Sequence, residues 1–256
     1  MASTETMVTV DDTQISVHDS RDRTPAVVFA NGAFSTQRAW RAVVDGLTPD
    51  LRAITFDMRG RGRSHRSEDY SLAAYERDLG AVIDGLQLDN PVLVGWSLGA
   101  HTILRWAAAH PGCYRGLVLV DGGYPFVWGD EAERDKTRKL FRRQAWLLPL
   151  LARFGLAGHM TAQQHADVVI ELNVCAPQLV DAFDRIGAPI EIIVAAGGNT
   201  GSDADDSARM RASLDSTLAA HQNVTVFRTV ASNHLQLLRR DPGAVVDAIR
   251  DLIART

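Results

Sequence analysis

The pentapeptide Gly95-Trp96-Ser97-Leu98-Gly99 has the form Gly-x-Ser-x-Gly. It sits between a short apolar run, Val92–Val94, and an apolar, alanine-rich stretch from Leu98 to His110. That order predicts a strand, a sharp turn and a helix, with Ser97 held on the turn as a nucleophile. Gly95 and Gly99 fall where a side chain would collide with neighbouring backbone. The start of the following helix directs backbone N–H groups, and the positive end of its dipole, to where an oxyanion would develop. A serine hydroxyl is a poor nucleophile alone, so this reading requires a general base close in space.

Other chemistry-bearing patterns are weaker. Asp57-Met58-Arg59-Gly60-Arg61-Gly62-Arg63-Ser64, with Arg66 just beyond, is basic and glycine-rich. It lacks the Gly-Lys-Ser/Thr ending of a phosphate-binding loop. The run Arg134-Asp135-Lys136-Thr137-Arg138-Lys139, continuing to Arg143, mixes both signs and reads as a solvated helix face. No His-x-His or similar cluster has metal-ligand spacing, so neither metal nor cofactor is expected.

The elements that must position Ser97 alternate. Met7–Val10 and Gln14–Val17 read as a hairpin through Asp11-Asp12. Ala26–Ala30, Leu51–Phe56, Val92–Val94, Leu117–Val120, Pro189–Ala195 and Val224–Phe227 read as strands. Helical spacing links Trp40, Val43, Val44 and Leu47; then Leu72, Tyr75, Leu79, Val82 and Leu86, with Ser71 at the start. Met210, Leu214 and Leu218 suit a helix, and Val245 to Ile253 a final one. Strands alternating with helices imply a mostly parallel sheet covered on both faces. Sites in such sheets form beyond the carboxyl ends of the strands, where the turns after Ala30, Val94, Val120 and Ala195 lie. From Tyr124 to about Gly187 the alternation stops and the chain is helical in character.

With 256 residues, a net charge of −4, 46% hydrophobic and 23% charged residues, the composition is that of an ordinary globular protein. The charge offers no argument for nucleic acid or an anionic membrane. Cys113 and Cys175 read as reduced thiols of an intracellular protein. Met1–Val10 lacks the apolar core of a signal peptide, and the longest oily stretch, Trp146–Leu151, is far short of a membrane span. A cytoplasmic location is expected.

Taken together, four features resemble the α/β-hydrolase superfamily: the glycine turn Asn31-Gly32-Ala33-Phe34 after the third strand, Asp57-x-Arg59-Gly60-x-Gly62-x-Ser64, Gly95-x-Ser97-x-Gly99, and His234 close before the last helix. The resemblance covers nearly all of the chain. It implies an eight-stranded, mostly parallel sheet flanked by helices, with a core of residues 1–124 and 188–256 and a helical cap, 125–187, between strands six and seven. In that family the Asp57–Ser64 segment is a structural turn. The usual His-Gly of the first turn is Asn31-Gly32 here, which is expected to keep the bend and alter the polarity of the site floor.

The resemblance also assigns roles. His234, in Ser232-Asn233-His234-Leu235, is the general base, although the family usually has glycine where Asn233 stands. The other seven histidines lack that placement and read as surface or packing residues. A carboxylate must fix the tautomer of the base. The usual place, after strand seven, reads Ala195-Ala196-Gly197-Gly198-Asn199-Thr200, with no acid before Asp203, Asp205 and Asp206. Some relatives carry the acid at the end of strand six, and Asp121 occupies that place. Asp121 is therefore preferred, with the three later aspartates as alternatives. By the family's geometry, the oxyanion donors are the backbone N–H groups of Leu98 and Ala33.

Phe34, Trp96, Trp128 and Trp146 are expected to line the substrate site. Apolar residues in the inserted segment suggest a pocket above Ser97 for a small to medium apolar ester, lactone or thioester. The expected reaction is cofactor-independent hydrolysis through an acyl-enzyme. Acyl transfer, cyclisation or C–C bond hydrolysis on the same residues, or a slow hydrolase-type receptor, are the alternatives. A dehalogenase or epoxide hydrolase is disfavoured, because those carry Asp at the position of Ser97. Nothing in the sequence indicates an oligomeric state.

Overall fold

The computed structural model describes residues 4–20, 23–48, 50–126, 129–197 and 204–256, with the side chains of residues 204–206 excepted. Eight strands form one sheet: β1 (Thr4–Val10), β2 (Thr13–Asp19), β3 (Ala26–Ala30), β4 (Arg52–Phe56), β5 (Val92–Trp96), β6 (Gly116–Val120), β7 (Ile190–Ala195) and β8 (Val224–Val230). Their order is β1-β2-β4-β3-β5-β6-β7-β8. The first two strands pair antiparallel and β2 joins β4 antiparallel; every later pairing is parallel. This is the α/β-hydrolase fold read from the sequence.

Eleven α-helices are described. They are α1 (Arg41–Leu47), α2 (Leu72–Gly85), α3 (Leu98–Ala109), α4 (Glu131–Gln144), α5 (Leu148–Arg153), α6 (Ala162–Cys175), α7 (Leu179–Arg185), α8 (Ala204–Ala212), α9 (Leu214–Ala220), α10 (Leu237–Arg240) and α11 (Pro242–Arg255). Four of them, α4 to α7, fall between β6 and β7.

Every residue of the central strands β3, β5 and β6 is buried, with no solvent-facing position. Parallel strands covered on both faces need such continuous apolar runs. Alternate residues feed two cores. Val28, Ile54, Leu93 and Leu117 join the side of α2 and α3. Val27, Val92, Val94 and Val118 join the side of α1 and α11. Ser71 caps α2, its hydroxyl accepting the N–H of Ala74 at 3.2 Å. Pro242 opens α11, where a missing N–H costs nothing.

Two boundaries differ from the sequence reading. The helix expected through Met210 and Leu218 is broken at Ser213, whose hydroxyl donates to the carbonyl of Met210 at 2.6 Å. A serine that bonds back to the preceding turn competes with helix continuation. Strand β8 runs on to Val230, through Arg228 and Thr229. It is an edge strand, so its outer residues stay exposed and carry no apolar alternation.

The inserted helices are tied to the sheet-bearing part at several points. The Glu171 carboxylate accepts the N–H of Leu72 at the start of α2, 3.1 Å away. The N–H of His159 donates to the carbonyl of Gly60. Phe34 stacks on Phe141 and His165, with ring centroids 5.9 and 5.8 Å apart.

Candidate active site

Ser97 stands between β5 and α3 with φ +56°. That left-handed backbone is uncommon for a serine and marks a site where the surrounding structure dictates the turn. The close approach needs glycine on both sides. A Cβ on Gly99 would lie 2.1 Å from the carbonyl oxygen of Ala30, and one on Gly95 would lie 2.4 Å from that of Gly99.

Strands β5 and β6 are in register, Trp96 opposite Val120. Ser97 and Asp121 are each the next residue along, so two adjacent strand ends deliver them side by side. Asp121 also has positive φ, +42°. Its side chain is only 2% exposed. One carboxylate oxygen, Oδ1, accepts the hydroxyl of Tyr124 at 2.7 Å and the N–H of Ala195 at 3.0 Å. The other, Oδ2, lies 2.7 Å from Nδ1 of His234. Three donors therefore hold the carboxylate in one orientation. Burial and the adjacent Asp121 carboxylate push the Tyr124 phenol far up, so Tyr124 stays a donor at any working pH.

His234 follows β8 and comes 113 residues after Asp121 in sequence. Its turn is shaped by Asn233, whose side-chain oxygen accepts the N–H of Gln236 at 3.0 Å. Asn233 thus ties down the turn before α10 where the resemblance leads one to expect glycine. Because Nδ1 faces a carboxylate it carries the proton, which leaves Nε2 as the basic atom of the neutral ring.

Ser97, Asp121 and His234 wall one cavity of about 200 Å³, together with His101, Gly122, Tyr124, Leu172, Asn173, Ala176, Ser207 and Met210. The first residues come from the strand ends and α3. Leu172 and Asn173 come from α6, and Ser207 and Met210 from α8.

The residues expected to line the substrate site fare differently. Trp96 packs against the imidazole of His234, with centroids 5.4 Å apart, and is 9% exposed. Phe34 spends its ring on Phe141 and His165 and is absent from the described cavity wall. Trp146 is 79% exposed, just beyond α4, and is also absent from that wall. An apolar residue type does not say which face of an amphipathic segment it occupies. Trp128 and Asp203 lie outside the described residues, and the side chains of Asp205 and Asp206 do also.

Asn31 corrects another expectation. It is fully buried, donating to the carbonyl of Phe56 at 2.7 Å and accepting the indole N–H of Trp40 at 2.8 Å. It braces the turn from below and adds no polarity to the cavity. The arginines of the Asp57–Ser64 turn are also structural. Arg59 is fully buried and forks onto Asp78 at 2.8 and 3.0 Å. Arg61 donates from Nε to the carbonyl of Ala33 at 2.8 Å, fixing the turn that carries the second expected oxyanion donor.

Eight of the eleven wall residues, four of them polar (His101, Tyr124, Asn173 and Ser207), were not expected from sequence. Tyr124 had a weak signal, a phenol three residues after the acid. His101 lies one helical turn beyond Ser97 and reads as a packing residue there; Asn173 had no local signal. Among the described residues, no group of three or more His, Cys, Asp and Glu is placed to hold a metal ion. No described helix is long and apolar enough to cross a membrane.

A model of the alpha/beta hydrolase family matches residues 27–248. Among curated proteins, the chain is 29% identical over 120 residues to a haloalkane dehalogenase of Mesorhizobium japonicum, covering 46% of this chain and 39% of that one. It is 33% identical over 99 residues to an sn-1-specific diacylglycerol lipase of Mus musculus, covering 38% of this chain and 32% of that one. The matched segments thus span only about a third to two fifths of these relatives. Among solved structures, an esterase from Thermogutta terrifontis superposes with a TM-score of 0.75 at 17% identity, covering 100% of this chain and 99% of that one.

Proposed function

The chain belongs to the alpha/beta hydrolase family, and from that premise we propose that it is a serine hydrolase cleaving a small carboxylic ester, lactone or thioester. The observation that carries this reading is the Asp121–His234 pair, 2.7 Å apart, sharing a cavity wall with a serine at φ +56°. Histidine held in that tautomer offers Nε2 to the Ser97 hydroxyl. Ser97 Oγ attacks the carbonyl carbon as its proton passes to Nε2. Asp121 balances the resulting imidazolium. The developing oxyanion is received by the N–H groups of Leu98 and Ala33, each such donor being worth about 10²–10³ in rate where measured. His234 then returns the proton to the departing oxygen or sulfur, and the acyl group stays on Ser97. Water, deprotonated by the same nitrogen, releases the acid and restores the serine. The segment 125–187 acts as the cap that narrows this site and limits water. Besides substrate and water, these steps draw only on groups of the chain.

The test is a serine-reactive fluorophosphonate followed by peptide mass spectrometry, with a panel of short p-nitrophenyl esters. An adduct on Ser97, and turnover abolished in Ser97→Ala, is the expected result. Wild-type protein that neither labels at Ser97 nor turns over any ester, lactone or thioester refutes the reading.

A further inference from the structure

His101 lies on α3 one turn beyond Ser97, and its N–H bonds to the Ser97 carbonyl. The residue is 7% exposed and forms part of the cavity wall. Nδ1 is sealed inside the protein with no hydrogen-bond partner, while Nε2 is not sealed and bonds to no described residue. Burial, with the Arg105 cation adding to it, pushes the His101 pKa down to about 3. The ring is therefore neutral at any pH at which the enzyme would work. Across the cavity stands Asn173 on α6, whose amide makes no hydrogen bond to another described residue. Leu172, Ala176 and Met210 make up the apolar remainder of that wall.

A cavity that needed only an apolar chain would gain nothing from two uncommitted polar side chains. Burying the His101 ring is unfavourable unless something bonds to it. A sealed N–H without a partner is rarer in proteins than an under-used acceptor. The proton of His101 therefore belongs on Nε2, pointing into the cavity as a donor. Asn173 can supply a second donor from its amide. Asp121 already contributes a negative charge to this wall, and no cation lines it among the described residues. An anionic substrate group would meet the Asp121 charge, while Arg211, the cation that acts on Tyr124, is bonded to the Ala195 carbonyl.

We propose that His101 and Asn173 form a polar subsite that selects substrates carrying a second, uncharged oxygen acceptor a few bonds from the scissile carbonyl. The substrate class is a short keto-, hydroxy- or alkoxy-substituted ester, lactone or thioester. The cavity, at about 200 Å³, is smaller than the roughly 300–1,000 Å³ of drug-sized sites, which suits a compact molecule. This inference rests on the serine hydrolase reading, and it narrows the small to medium apolar ester, lactone or thioester expected from the sequence.

The experiment compares kcat/KM for matched esters. One pair is p-nitrophenyl pentanoate and p-nitrophenyl 4-oxopentanoate, with the keto oxygen in the acyl chain. A second is butyl butanoate and 3-oxobutyl butanoate, with it in the alcohol. The mono-p-nitrophenyl ester of glutaric acid supplies a carboxylate instead. Fluorophosphonate labelling of Ser97 counts intact sites in every variant.

In at least one pair the wild type should favour the keto ester by about tenfold, the order of magnitude for one buried hydrogen bond. That ratio should fall towards one in His101→Leu and partly return in His101→Gln, which restores an N–H. It should not vary between pH 6 and 9. Should His101→Leu fail to fold, Asn173→Ala, on a half-exposed helix position, should by itself lower the ratio about threefold or more. Wild-type enzyme that labels and hydrolyses but treats both members of each pair alike overturns the subsite. So does a preference for the glutarate ester, or a keto preference indifferent to both His101 and Asn173; the hydrolase reading survives all three. Absence of labelling and of hydrolysis defeats that reading and the subsite with it.

Discussion

Replacing Asp121 by asparagine removes a charge and little else. The two side chains have nearly the same shape. The amide oxygen of asparagine can take the place of Oδ1, accepting from the Tyr124 hydroxyl and the Ala195 N–H as before. That leaves the NH₂ group where Oδ2 meets Nδ1 of His234. A donor there forces Nδ1 to become an acceptor, and the ring proton moves to Nε2. The nitrogen facing the nucleophile then carries a proton and can no longer take one. In serine proteases the equivalent change lowers kcat by about 10⁴, and a drop of about 10³–10⁴ is expected here. Two of the three bonds survive unchanged and the third becomes a neutral one, so stability should fall by only about 1–2 kcal/mol. The assay is steady-state hydrolysis of a p-nitrophenyl ester, beside urea unfolding of both proteins. Asp121→Asn turning over within tenfold of wild type, with Asp203→Asn inactive, would refute the tautomer argument and move the acid beyond β7.

Three further outcomes follow from the same geometry. Tyr124→Phe removes one donor to Asp121 and leaves the ring; kcat should drop about tenfold and stability by about 1 kcal/mol, measured by kinetics and urea unfolding. Gly99→Ala would bring a methyl group within 2.1 Å of the Ala30 carbonyl, so it should cost about 3 kcal/mol or more, seen as loss of soluble, labelled protein. Burial depresses His101 to about 3 and His165 to about 4, below the ordinary 6.5. The unfolded chain then binds more protons than the native one between those limits, so stability is full above pH 6.5 and falls as the pH drops towards 4. Each histidine contributes about 2 kcal/mol of that loss by pH 5. Chemical denaturation at pH 7 and pH 5 should show the fall, and His165→Gln should make it shallower.

The fold was readable because its signals are local. Each buried strand announces itself by a run such as Val92–Val94, and Ser97 lies at the strand–helix junction that Gly-x-Ser-x-Gly specifies. The placement of Asp121 beside His234 has no local signal, since 113 residues separate them. It was readable only from chain order and from the gap in acids after β7. What could not be read depends on which way a side chain turns once helices pack. Trp146 is apolar yet faces solvent, whereas His101 is polar yet faces the cavity. The role of Asn31 is hidden for the same reason, because its partners Trp40 and Phe56 come from separate elements.

The adjacency of Ser97 and Asp121 at the ends of paired strands has a mechanical consequence. No hinge or loop lies between them, only the hydrogen-bond ladder joining β5 to β6. Slipping that ladder by one residue would shift one against the other by about 3.3 Å and turn their side chains to opposite faces. The spacing is thus as rigid as the most deeply buried part of the molecule. Warming should not loosen the two residues ahead of the rest. Fluorophosphonate labelling of Ser97 should persist until the sheet itself melts, and vanish in the same transition.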